Sequence, residues 1–165
     1  MGFELRTNPT KVSNFRDDEE VKEVYYREIE DLVKEATGAS KVFVFDHTVR
    51  KSSVSNLNAA AGGAAGSVVR VHCDYDVNSA PRRFRQLCKT ESYTGVKLSE
   101  DEVEKYINGR YSFVNVWRNI KDTPVQVKPL AVCDTNSVPV EDHLTYNMMF
   151  PERHGSNYCM ASETA

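Results

Sequence analysis

The residues most suggestive of chemistry are His72 and Asp74, near the end of "VVRVHCDYD", residues 68–76. The valines before them favour a β-strand. In a strand, residues i and i+2 project from one face. The imidazole and the carboxylate therefore aim at one space, while Val71 and Cys73 aim the other way. An imidazole nitrogen beside a carboxylate oxygen is two thirds of a 2-His-1-carboxylate triad, which holds one face of an iron(II) ion and leaves the other positions open. The same pair also reads as a strand-end histidine hydrogen-bonded to a neighbouring aspartate. His143 and His154, in polar turn-like segments, are the remaining candidates for a third donor.

The elements around this pair have their own signals. Residues 17–36 carry Val21, Val24, Tyr25, Ile29, Leu32 and Val33 at helical spacing, with acidic residues 17–20 in the first turns and Gly38 as a stop. "KVFVFDHTVR", residues 41–50, reads as a buried strand. Residues 52–67 are small, polar and glycine-rich. They lack a phosphate-loop pattern and read as a mobile loop. Ser79-Ala-Pro81 opens a short basic helix containing Arg82 and Arg83. Ser99 and Glu102 form a capping box for a helix through Ile107, ended by Asn108-Gly109. Further strands are expected at 111–120, 129–134 and 144–150, followed by a turn over 151–156. Alternation puts Phe113, Asn115 and Trp117 on one face, and Val114, Val116 and Arg118 on the other. Residues 1–14 read as a flexible lead-in, and the order of elements predicts one α+β domain over 1–165, mostly antiparallel.

Composition narrows the function classes. The 165 residues are 40% hydrophobic and 27% charged, with net charge −3, an ordinary globular balance that gives no electrostatic case for nucleic acid or an anionic membrane. No apolar run approaches the roughly 20 residues of a membrane helix, and the N-terminus has no signal-peptide core. A cytoplasmic protein is the expectation. Cys73, Cys88, Cys133 and Cys159 form no Cys-x-x-Cys pair, which argues against structural zinc and for reduced thiols.

The wider pattern is more specific. "FVFDHTVR", "VRVHCDYD" with "SAPRR", "FVNVWRNI", "PLAVCDTNSV" and "MMFPERHG" follow in order. Together they resemble the family of fungal asaB-type hydroxylases/desaturases, which takes in CmcJ-like cephamycin methoxylase and gibberellin desaturase-like proteins. The resemblance implies a double-stranded β-helix (a cupin-like jelly roll) behind an N-terminal helix. It also implies an oxygenase using Fe(II) and 2-oxoglutarate on a small organic molecule. It assigns His72 and Asp74 to the metal. It implies that Asn115 and Trp117 line the cavity, that Arg118 binds a carboxylate or an internal acid, and that Arg83 with Arg82 takes the basic, cofactor-binding position after the turn. Asp46, His47 and Arg50 match its "DHTVR" motif; His47 reads first as a hydrogen-bonded strand-end histidine, and otherwise as a second-layer or lid-facing one.

The departures from that pattern matter equally. The family's distal metal histidine and closing strands are expected beyond the position of Ala165, so the resemblance implies an incomplete barrel. Asp76 stands where threonine is usual, and Asn119 where "WRP" is usual. An open half-barrel exposes unpaired backbone and an apolar face. A longer chain, a protein partner or a second copy would cover it. The competing expectation is a catalytically inactive jelly-roll paralogue serving as an interaction or assembly subunit.

Overall fold

The computed structural model describes residues 2–50, 64–66, 68, 70–150 and 153–160. The mobile loop expected over 52–67 lies outside the described residues, apart from 64–66. The chain divides into two compact units. One comprises Met1–Arg6, Val69–Gln86 and Leu130–Ala165; the other comprises Thr7–Val68 and Leu87–Pro129.

The second unit is built on the N-terminal helix. It begins as α1 (Asp18–Glu20), passes through one π-helical turn (Val21–Tyr25) and continues as α2 (Tyr26–Thr37). Asp17 caps it by accepting from the Glu19 and Glu20 amides, and Gly38 ends it at φ 70°. The π turn alters which face is buried. The spacing expected Val24 and Tyr25 at the centre of the stripe. Instead Val21 and Tyr26, five residues apart, are buried, followed by Ile29, Glu30 and Val33. One extra residue in the turn rotates the later face by about a hundred degrees.

Val12 joins Val21 and Tyr26 in the core, with Phe15, Val24, Tyr25 and Val44 packed around them. Residues 10–14 dock on the helix. The Thr10 hydroxyl and the Lys11 amide donate to Glu28, and the Ser13 and Asn14 amides donate to Glu20.

β1 (Val49–Arg50) pairs in parallel with β2 (Ala64–Ala65). α4 (Glu100–Ile107) carries the expected capping box: Glu102 N donates to Ser99 Oγ, and Ser99 N donates to Glu102 Oε2. Residues 41–48 and 111–120 form no ladder among the described residues. Their β-formers set a preference, but a ladder needs a partner strand from elsewhere in the sequence.

The first unit carries the candidate pair. Its sheet has the order β3-β5-β4, with β3 (His72–Cys73), β4 (His143–Phe150) and β5 (Arg153–Met160) all antiparallel to their neighbours. The strands extend into the turn expected over 151–156: Phe150 pairs with Arg153, and His154 lies in β5 opposite Met149. Residues 129–134, expected as a strand, form no ladder among the described residues. α3 (Ser79–Leu87) follows β3 after a short turn.

Candidate functional site

His72 sits opposite Cys159 on β5, and Cys159 sits opposite Leu144 on β4. Met160 N donates to Val71 O beside this row. His72 and Cys159 therefore form a non-hydrogen-bonded pair, the closer kind. Cys159 is buried, whereas the His72 and Asp74 side chains remain 29% and 47% exposed. The open end of the strand thus keeps the pair within reach of solvent and ligands.

The hydrogen bonds fix the imidazole's tautomer. His72 Nδ1 lies 2.8 Å from the Arg70 carbonyl oxygen. A carbonyl only accepts, so Nδ1 carries the proton and a neutral ring has its lone pair on Nε2. That nitrogen faces Asp74 Oδ1 at 3.2 Å. Two electron-pair donors at this distance are held together by a cation between them or by a proton added to the ring.

The spacing suits a metal ion. Neighbouring donors on an octahedral divalent ion, each about 2.1 Å from it, lie about 3 Å apart. A metal-binding histidine also commonly donates its other N–H to a backbone carbonyl, as His72 does to Arg70. The two residues therefore fit adjacent positions on such an ion. Among the described residues, no group of three His, Cys, Asp or Glu side chains is placed to hold a metal.

His143 is held elsewhere. It precedes Leu144, which lies in the His72 row, so strand alternation puts His143 on the opposite face. Its Nδ1 contacts the Pro139 oxygen at 3.1 Å, and its ring meets Tyr158 edge-on. The side chain of His154 lies outside the described residues.

The turn after Asp74 is closely tied. Asp76 and Ser79 are both about 5% exposed or less. Asp76 Oδ1 accepts from the Asn78 and Ser79 amides at 2.9 and 2.7 Å, and Asp76 N donates to Ser79 Oγ. The Ser79 hydroxyl donates to the Ser156 carbonyl of β5 at 2.6 Å. Burial pushes the Asp76 carboxyl up, but the Ser156 hydroxyl, the two amides and the Ser79 hydroxyl outweigh it and leave it below its ordinary value. The Ser156 contribution is a near approach, since no well-formed hydrogen bond reaches Oδ2.

The other expected residues fall as follows. Arg82 is exposed and Arg83 half-buried, both on α3 of the same unit as His72. Asn115, Trp117, Arg118, Asp46, His47 and Arg50 belong to the second unit. Asn115 and Trp117 are exposed there. The Arg118 guanidinium lies over the Tyr25 ring, donates through Nε to the Tyr25 hydroxyl and through Nη2 to the Asn8 oxygen. Arg50 donates to the Gly66 oxygen. His47 Nδ1 meets the buried Tyr26 hydroxyl at 2.9 Å, and its Nε2 faces Asp18 Oδ1 at 3.3 Å. Burial first, then Asp46 and Asp18, push the Tyr26 hydroxyl up to about 12.

Sequence reasoning missed Arg70, Tyr26 and the Asp76–Ser79 pair. Arg70 acts through its carbonyl, which leaves no mark in a sequence. Asp76, three residues before Ser79 at a helix start, is a signal that was available.

Over residues 1–165 the chain matches the model of a family described as an oxidoreductase/YMDC permease-like domain. The chain belongs to this family. It is 32% identical over 166 residues to the hydroxylase/desaturase efuI of Hormonema carpetanum, covering 99% of this chain and 54% of that protein. It is 31% identical over 171 residues to the alpha-ketoglutarate-dependent dioxygenase tstK of Talaromyces stipitatus, covering 93% of this chain and 57% of that protein. It is 32% identical over 153 residues to the alpha-ketoglutarate-dependent dioxygenase phiK of a fungal species, covering 92% and 51%. The chain thus spans about half the length of these curated relatives. No solved structure matches it. Among the described residues, no helix is long and apolar enough to cross a membrane.

Proposed function

We propose that this chain supplies His72 and Asp74 to the iron of a cytoplasmic, non-haem Fe(II)/2-oxoglutarate-dependent oxygenase of the asaB type. The complete enzyme hydroxylates or desaturates a small organic molecule on a jelly-roll scaffold. The observation that carries the proposal is the His72 geometry: Nδ1 is committed to the Arg70 carbonyl, and Nε2 faces Asp74 Oδ1 at 3.2 Å. The names of relatives aligned over nine tenths or more of the chain support the same chemistry.

Bound iron with 2-oxoglutarate and oxygen would supply the oxidising power for removing hydrogen from carbon. The chain's own contribution is positional. β3 holds the imidazole against β5, the Arg70 carbonyl fixes its tautomer, and Asp74 brings a negative charge to one side of the ion. A third protein donor would come from outside the described residues or from a second polypeptide.

Anaerobic titration with Fe(II) and 2-oxoglutarate tests this, read as metal-to-ligand charge-transfer absorbance. The expected result is a band in the wild type that falls at least tenfold in apparent affinity in Asp74→Ala. Equal behaviour of the two folded proteins, or no band in either, overturns the proposal.

A second reading, a non-catalytic interaction subunit, is favoured by one observation. In the second unit Val114, Val116, Trp117, Ile120, Val125 and Val127 are each more than a third exposed. Where such residues adjoin in one patch, a protein partner commonly covers it. Metal-independent, stoichiometric self-association in sedimentation, together with a failed iron titration, would favour that reading.

A further inference from the structure

We infer that Asp76 and Ser79 act as positioning residues for the metal-facing carboxylate of Asp74; this rests on the metal reading above. β3 contributes only two ladder residues, His72 and Cys73, and Asp74 lies just past its end. Asp74 is therefore placed beyond the ladder pairing. The chain is caught again two residues later. Asp76 N donates to Ser79 Oγ, Ser79 N donates back to Asp76 Oδ1, and the Ser79 hydroxyl reaches the Ser156 oxygen.

Asp74 is thereby suspended between two anchors on one strand. On one side is the pairing of His72 and Cys73 with Cys159 and Tyr158. On the other is Ser156, two residues or roughly 7 Å further along β5. Both members of the clasp are nearly inaccessible, Asp76 at 3% and Ser79 at 5%. Hydrogen bonds there do not exchange readily with water and hold their geometry. Ala80 N also donates to the Asp76 oxygen, so the clasp is continuous with the first turn of α3. A rigid helix start, rather than a loose loop, therefore sets the far end of the Asp74 segment.

The test uses the full chain and two readouts: affinity for Fe(II) with 2-oxoglutarate, and the metal-free line width of the Asp74 carboxyl carbon resonance. Asp76→Ala and Ser79→Ala are each expected to lose about tenfold in metal affinity, the usual scale for outer-layer partners. They are also expected to broaden or average the Asp74 signal while keeping the wild-type circular dichroism. Asp76→Asn keeps the Oδ1 acceptor and is expected to return to within about threefold of wild type. If Asp76→Ala fails to fold, Ser79→Ala and Asp76→Asn carry the comparison. Wild-type affinity together with a sharp Asp74 signal in the folded alanine variants overturns this inference. A wild type that takes up no metal sinks the metal reading instead, and the Asp74 resonance still decides the clasp.

Discussion

Two histidine–aspartate pairs occupy the two units, and their surroundings differ in kind. At His47 both ring nitrogens face side chains: Nδ1 the Tyr26 hydroxyl and Nε2 the Asp18 carboxylate. Asp18 is itself held by Lys22, whose ammonium keeps that carboxyl below its ordinary value. At His72 a backbone carbonyl holds Nδ1, and Nε2 faces an aspartate across a gap suited to an ion. Equal residue types and nearly equal separations, 3.3 and 3.2 Å, thus sit in different networks: side chains hold both ring nitrogens in one unit, and a backbone carbonyl with an aspartate holds them in the other. The nitrogen opposite the aspartate decides. A side-chain partner there completes a closed network; a backbone carbonyl leaves the aspartate-facing nitrogen of a neutral ring with its lone pair.

The largest test of that contrast is selective substitution. His72→Ala is expected to lower Fe(II) affinity at least tenfold with a smaller effect on stability than His47→Ala, because its side chain is 29% exposed and its ring partner is the Arg70 backbone carbonyl. His47→Ala is expected to leave metal affinity within about twofold and to cost about 1–3 kcal/mol in urea unfolding, since the buried Tyr26 hydroxyl loses its partner. The same loss of affinity in both variants would erase the distinction.

A pH prediction sharpens the His47 side. Tyr26 is raised to about 12 in the folded chain against an ordinary value of 10. Folding therefore favours the protonated phenol. Its contribution is fully present below about pH 10 and is lost as pH rises towards 12. Urea midpoints across that range should fall more steeply in the wild type than in Tyr26→Phe. Parallel slopes would mean that the phenol is not the titrating group.

Asp76 gives the opposite sign in the His72 unit. Its carboxyl is lowered below 3.8, so its contribution is present above that pH and fades as pH falls further. Asp76→Asn should therefore flatten acid unfolding below about pH 4. The smallest effect is expected at Ser99. Losing this capping box by Ser99→Ala should cost about 1 kcal/mol and leave metal affinity untouched.

Local signals were legible and non-local ones were not. His72 and Asp74 are two residues apart and do meet, at 3.2 Å, although the strand expected over 68–75 keeps only His72 and Cys73 in its ladder. The helix, its Gly38 stop and the Ser99 capping box each depend on residues within a turn of one another. Tyr26 was hidden because the π turn shifts the buried stripe by one residue. Its bond to His47 spans 21 positions and has no periodicity to betray it. The β-rich segments 41–48 and 111–120 advertise strands, but propensity cannot name a partner. The opposite placement of His143 follows only from the β3-β5-β4 register.

The most direct measurement watches both histidines at once. Nitrogen-15 spectra of the four imidazole rings, assigned by single His→Gln variants, would be recorded while paramagnetic Fe(II) is added anaerobically. Before metal, His72 should show the tautomer protonated on Nδ1. On titration its ring signals should broaden first, while those of His47 persist. Broadening of His47 at the same metal concentration, or a His72 ring untouched by excess iron, would contradict the account.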